Sequence, residues 1–257
     1  MDTVQVTLGD GEVRLQVHQW GTGVPVVMVP SLGRGATDFV TLGERLAAEG
    51  FRALGVNLRG IEGSTGPLEG LDLHALASDV AGVIESIAEQ PVHAIGHAFG
   101  NGVVRCLAAD RPDLVRSVVL LAAGGLVPGN PPVGPEFGRC FQLDLPAEER
   151  VQAIQEAFFA PGRDAAVWLE GWWPEAHKAH LAAMQATPRD HWWEAGVAPI
   201  LIIQGLNDRL APPANGHVLR LTAGKRVEVV DLPGLGHAML PEQPEAIAAL
   251  VIAFMKR

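Results

Sequence analysis

Short apolar runs of strand length recur along this chain, and amphipathic stretches of helix length separate them. "VPVVMVP" begins at Val24, "RALGVN" at Arg52, "VHAI" at Val92, "VRSVVLLAA" at Val115, "PILIIQG" at Pro199 and "RVEVVDL" at Arg226. A run with no polar alternation fits a strand covered on both faces, which is the condition of a parallel sheet wrapped by helices. The intervening segments supply those helices: "DFVTLGERLAAEG" closed by Gly50, a span from Leu71 to Glu89, another from Phe99 to Ala109, one from Pro213 to Leu221, and the closing "QPEAIAALVIAFMKR". Ahead of them, "VQVTL" and "VRLQVHQW" alternate polar and apolar around Gly9-Asp10-Gly11, as an antiparallel hairpin does. The expected class is α/β, with a mostly parallel central sheet flanked by helices.

The alternation breaks once. Between about Val127 and Gly196 the chain fills with Pro, Gly and Trp ("VPGNPPVGPEFG", "WLEGWWPEAHKAH", "DHWWEAG"), with helical pieces such as "PAEERVQAIQEAFF" among them. This reads as an inserted cap at 127–196 on a core domain formed by 1–126 and 197–257. No internal repeat or low-complexity tract is visible. At 257 residues one large domain with an insertion has ample material for a core.

Composition removes several functional classes. Lys and Arg number 19 against 29 Asp and Glu, a formal charge of −10, which is the wrong sign for a surface that grips phosphates. No apolar run reaches the length of a membrane span, and "MDTVQVTLGDGEVRL" lacks the basic start and apolar stretch of a secretory signal. A cytoplasmic protein without nucleic-acid or membrane partners is expected. Cys106 and Cys140 read as two small buried side chains, and neither CxxC nor HExxH occurs among the scattered His residues, so no metal site is expected. "PSLGRGATD" is a poor dinucleotide fingerprint, because Asp38 holds its third glycine position and would repel a pyrophosphate.

Ligands of open parallel sheets bind beyond the carboxyl ends of the strands. Four segments fall there. Gly96-His97-Ala98-Phe99-Gly100 follows a strand and opens a helix, the context of a G-x-S-x-G nucleophile elbow, with a methyl group at its centre. In "QGLNDRLAPP", Asp208 lies where a carboxylate can orient an imidazole, and "LPGLGHAML" puts His237 in a Gly-rich loop after the last strand. "VPSLGRG" can aim backbone N–H groups into the same space.

With those segments in that order, the chain resembles the α/β-hydrolase superfamily over almost its whole length, the order of elbow, acid and His being the one that fold uses. The resemblance implies that Asp208 and His237 are the acid and base of a triad and that the amides of Leu32 and Phe99 form an oxyanion hole. It also puts Ala98 at the nucleophile position. Two further departures stand beside Ala98: Pro30-Ser31 where many members carry His-Gly, and Asn57 where many carry Asp.

The expected activity is that of an α/β-hydrolase-fold enzyme, cofactor-independent, acting on a small, partly apolar carbonyl compound: an ester, thioester, lactone or activated C–C bond. His237 and Asp208 would supply a general base, and no covalent acylation can occur at Ala98. Alternatives stay open at this level: a serine esterase carrying a Ser→Ala change at position 98, base chemistry of the lyase, isomerase or cofactor-free oxygenase kind, or a silent ligand-binding protein. Ser31 is the nearby hydroxyl expected to touch substrate. Five of the six Trp lie in the insertion, and Trp168, Trp172 and Trp173 are expected to roof the pocket for an apolar substrate portion. His97 is expected to point away from the site, and the remaining His residues to be surface or core groups. Oligomeric state is left open.

Overall fold

The computed structural model describes the chain except for residues 10, 89 and 130–133. Asp10 of the expected hairpin turn, Glu89 at the end of the expected helix and part of "VPGNPPVGPEFG" therefore lie outside the described residues. Eight strands form one sheet: β1 (Asp2–Leu8), β2 (Val13–Trp20), β3 (Val24–Val29), β4 (Phe51–Val56), β5 (Val92–His97), β6 (Val115–Leu121), β7 (Ile200–Gly205) and β8 (Val227–Leu232). Their spatial order is β1-β2-β4-β3-β5-β6-β7-β8. The β1–β2 and β2–β4 pairs are antiparallel and every later pair is parallel.

The helices, in chain order, are α1 (Val40–Ala48), α2 (Leu73–Val83), α3 (Gly100–Asp110), a short α4 (Glu136–Arg139), α5 (Ala147–Phe158), α6 (Pro174–Ala186), α7 (Ala214–Ala223), a short α8 (Met239–Glu242) and α9 (Pro244–Met255). Asp72 caps α2 by accepting from the Ala75 N–H at 2.7 Å, so this helix begins two residues later than the apolar pattern implies. A wider turn, Ile84–Ala88, ends it. None of these helices is long and apolar enough to cross a membrane.

The unbroken apolar strands are explained by two cores. Along β3, Val27 and Val29 join the core under α2 and α3, while Val26 and Met28 join the one under α1 and α9. Each strand residue is buried on whichever face it meets, so no polar alternation survives.

Between β6 and β7 the described chain adds no strand to the sheet. It makes α4, α5, α6 and short 3₁₀ turns, with a separate cluster that includes Phe141, Ile154, Phe158, Trp168 and Trp172. Trp192 and Trp193, near the end of this stretch, pack into the main core with α2 and α3.

Candidate active site

The turn after β5 is built by contacts that only these residue sizes permit. Ala98 has φ +50°, a left-handed conformation that strains a residue with a Cβ. Gly96 and Gly100 have ordinary φ, and their need is steric. A Cβ on Gly96 would sit 2.6 Å from the Asn101 nitrogen, and one on Gly100 would sit 2.1 Å from the Val29 carbonyl oxygen. Close approach therefore requires both glycines, and the unusual dihedral falls on Ala98 itself. The Ala98 N–H donates to the Leu121 carbonyl at 2.9 Å, and the Asn101 N–H closes the turn on the Ala98 carbonyl at 3.1 Å.

The β7 and β8 loops meet because Gly205 has no side chain. A Cβ there would lie 2.3 Å from the Leu235 carbonyl oxygen. Across this contact His237 Nδ1 donates to Asp208 Oδ2 at 2.9 Å, both side chains being almost fully buried. The other oxygen, Asp208 Oδ1, accepts from the Leu210 and Ala211 N–H groups, each at 2.8 Å. One carboxylate therefore both caps this loop and orients the imidazole. With Nδ1–H committed, Nε2 of the neutral ring is left as the acceptor, which is the form of a general base.

His97 lies behind this ring. It is wholly buried, and its Nε2 bonds the His237 carbonyl at 2.8 Å, with ring centroids 5.6 Å apart. Burial, and secondarily the neighbouring imidazole, lowers its pKa to about 4. It holds the His237 backbone as a neutral donor and points away from the cavity, as expected.

A cavity of about 290 Å³ is lined by Ala98, His237, Ser31, Leu32 and Phe99, with Phe137, Phe158, Leu181, Met184, Trp192 and Leu210 completing an apolar wall. That volume is at the lower end of ligand pockets, which run about 300–1,000 Å³, so it suits a small substrate. Neither the Leu32 nor the Phe99 backbone N–H has an acceptor among the described residues, and the Ser31 hydroxyl likewise has no partner there. The Phe99 ring stacks on His180 of α6, centroids 5.3 Å apart, and His180 Nε2 bonds the Arg59 carbonyl at 3.0 Å.

The expected Trp roof is corrected. Trp168, Trp172 and Trp173 do not line this cavity. Arg34, two residues past Leu32, stacks over Trp168 and Trp172 at 4.5 and 4.7 Å from their ring centroids. Its guanidinium also pairs with Asp38 in bidentate fashion and donates to the Glu170 carbonyl at 2.7 Å. The Trp173 N–H donates to the Gly33 carbonyl at 3.0 Å, and its ring packs on Gly35. These indoles grip the 31–35 loop from outside. Composition reveals their number and not the side of the segment on which they lie.

Asn57 is fully buried and needs no charge for its work. Its Oδ1 accepts from the Ala36 N–H at 2.7 Å, and its Nδ2 donates to Glu62 and Gln16. Both cysteines are buried free thiols whose pKa burial pushes up to about 12. Away from the cavity, His74 Nδ1, Cys106 Sγ and Asp110 bring possible ligand atoms within 4.8 Å of one another. His74 there is already bonded to Asp110 at 2.7 Å and to His191 at 3.1 Å, so the cluster is a satisfied polar group on these contacts.

A model of the alpha/beta hydrolase family matches residues 26–250. The chain belongs to the alpha/beta hydrolase family. Over its length this alpha/beta hydrolase is 26% identical to a non-heme chloroperoxidase of Streptomyces lividans, across 98% of this chain and 99% of that protein. It is 28% identical to a bifunctional esterase/perhydrolase of Acinetobacter calcoaceticus, across 81% and 83% of the two chains. Its fold matches an esterase of Exiguobacterium antarcticum with a TM-score of 0.82, at 19% identity, across 98% and 99% of the two chains. These relatives support a hydrolase-type enzyme.

Sequence reasoning missed Asn101 as a wall residue; of the five Trp in the insertion, it is Trp192 that lines the cavity. Asn101 donates from Nδ2 to the Leu121 carbonyl at 2.8 Å and to that of Ala122 at 3.2 Å, tying α3 to the end of β6. Its place four residues after His97 on the helix that follows the elbow is the signal that could have found it.

Proposed function

We propose that this alpha/beta hydrolase cleaves a small, partly apolar carbonyl compound, an ester, thioester or lactone, by direct attack of water, with His237 as general base and no acyl-enzyme. The observation that carries this reading is the Asp208–His237 pair opening on the same cavity as an elbow whose central side chain is a methyl group. Water gives its proton to His237 Nε2 as its oxygen bonds the carbonyl carbon. Asp208 steadies the imidazolium, and the oxyanion is held by the Leu32 and Phe99 N–H groups, which have no other acceptor among the described residues. Collapse expels the alkoxide or thiolate, which takes the proton back from His237. The Ser31 hydroxyl, in the same cavity, gives the attacking water a second hydrogen-bond partner. The stretch 127–196 serves as the lid of this site, its Phe137, Phe158, Leu181, Met184 and Trp192 covering the cavity with apolar surface.

A single turnover of an aryl ester in ¹⁸O-water tests the route. The label is expected in the acid product, with no acylated protein by mass spectrometry and no burst. His237→Ala is expected to lower kcat by on the order of 10²–10⁴. An acyl adduct on any residue, Ser31 included, or full activity of His237→Ala overturns the mechanism.

A further inference from the structure

Behind the inner wall of the cavity lies a cation with nothing to bind. Arg105 projects from α3, one turn beyond Asn101, and is completely buried. None of its guanidinium nitrogens has a hydrogen-bond partner among the described residues. It lies against the faces of Trp192 and Trp193, 5.5 and 4.8 Å from their ring centroids. Burial alone pushes its pKa down to about 9, with no carboxylate acting on it.

The other arginine buried beside this site is treated differently. Arg34 also stacks on two indoles, yet it has Asp38 and two backbone carbonyls as acceptors. Ring faces offset part of a cation's desolvation, but they satisfy none of its N–H donors, which a planar acceptor such as a carboxylate would engage in bidentate fashion. The surroundings of Arg105 add donors of the same kind: Nε1 of Trp192 and of Trp193 are both buried without an acceptor. Orphaned buried donors are costly and rare in folded proteins, and so many in one place call for an acceptor.

This donor cluster adjoins the candidate active site. Trp192, Asn101 and Gly125 all line the cavity, and none of its lining residues is Lys or Arg. Gly125 touches both indoles, since a Cβ on it would lie 3.0 Å from Trp193 and 3.2 Å from Trp192. One aromatic ring thus separates the guanidinium from the space described above.

We propose that the substrate carries a carboxylate beside its apolar portion, and that this carboxylate pairs with Arg105 when the Trp192 ring turns aside. The inference rests on the reading of this cavity as the substrate site, and it is independent of how the carbonyl is attacked. An apolar wall with one recessed cation selects an amphiphilic acid over the corresponding neutral compound. In a chain of net charge −10, no general attraction for anions would do so.

The test is a binding comparison on the intact protein, followed by calorimetry and by Trp fluorescence in a buffer free of carboxylate and phosphate. The probes are 3-phenylpropanoate and its isostere 3-phenylpropanamide. The carboxylate is expected to bind at least about tenfold more tightly than the amide and to change the Trp emission. That preference should survive in His237→Ala, shrink in Arg105→Lys and vanish in Arg105→Met. Equal affinity of the two probes for the unaltered protein, absence of carboxylate binding, persistence of the preference in Arg105→Met, or its loss in His237→Ala each overturns the proposal. The comparison of probes on the unaltered chain decides the matter even if Arg105→Met does not fold. Failure of the hydrolytic reading would show separately, as absent turnover with the carboxylate preference intact.

Discussion

At residue 98 a methyl group occupies a backbone conformation that costs a residue with a Cβ roughly 1–2 kcal/mol. Beyond the turn the Phe99 amide has no acceptor among the described residues, and the strain at residue 98 does not depend on what the side chain can react with. Ala98→Ser adds a hydroxyl at the same dihedral beside His237. The expected outcome is a stoichiometric burst with an activated aryl ester, followed by slower turnover, read by stopped-flow absorbance; a variant with no burst would mean that His237 does not reach the elbow. The positions of Ala98, Asp208 and His237 just past β5, β7 and β8 were legible in the sequence, because run lengths and turn residues mark where each strand ends. Arg105 was not legible. Its lack of a partner is a property of everything packed around it, and no spacing in the sequence encodes an absence.

At the scale of elements, the His237 loop depends on α8. Glu242 is buried, and its Oε2 accepts from the Gly236 N–H at 3.0 Å and the Ala160 N–H at 3.3 Å, so one carboxylate joins this loop to the end of α5. The His237 N–H adds a 2.7 Å bond to the Phe158 carbonyl. Burial raises the Glu242 pKa, so the charge itself is the unfavourable part of this arrangement. Glu242→Gln keeps an acceptor and is expected to stay within about 1 kcal/mol of the unaltered stability, whereas Glu242→Ala strands two donors and should cost on the order of 2–4 kcal/mol. Urea unfolding of the two variants checks this, and equal losses would contradict it. Helix and strand identities followed from periodicity, but the inward or outward aspect of Trp168, Trp172 and Trp173 did not. That aspect is set by Arg34 and Asp38, which lie more than a hundred residues away in sequence.

At the scale of the molecule, three buried histidines weaken the fold in acid. Burial lowers the pKa of His93, His97 and His180 from 6.5 to about 4 in each case. Between those values the unfolded chain binds protons that the folded chain refuses, so stability falls as pH drops from about 6.5 towards 4 and is insensitive to these groups above that window. Denaturant titrations across this range should reveal uptake of up to three protons on unfolding, and a flat profile would show the rings to be solvated. The parallel sheet with helices on both faces was readable from run lengths, because successive residues of inner strands such as β3 and β7 enter the two cores in turn. The exact strand order was not, since it depends on which edges pair after the helices have packed.

The grip of Arg34 between two indoles, with Trp173 hydrogen-bonded to Gly33, constrains how anything enters. A hinged swing of the 127–196 stretch would drag the 31–35 loop with it, and with that loop the Leu32 amide proposed to polarise the carbonyl. Leu181 and Met184 of α6 line the cavity and Leu181 is also exposed to solvent, so entry is expected past these side chains while the loop stays anchored. A covalent tether between that stretch and the 31–35 loop should therefore leave exchange rates unchanged, making this enclosure a porous wall and not a door.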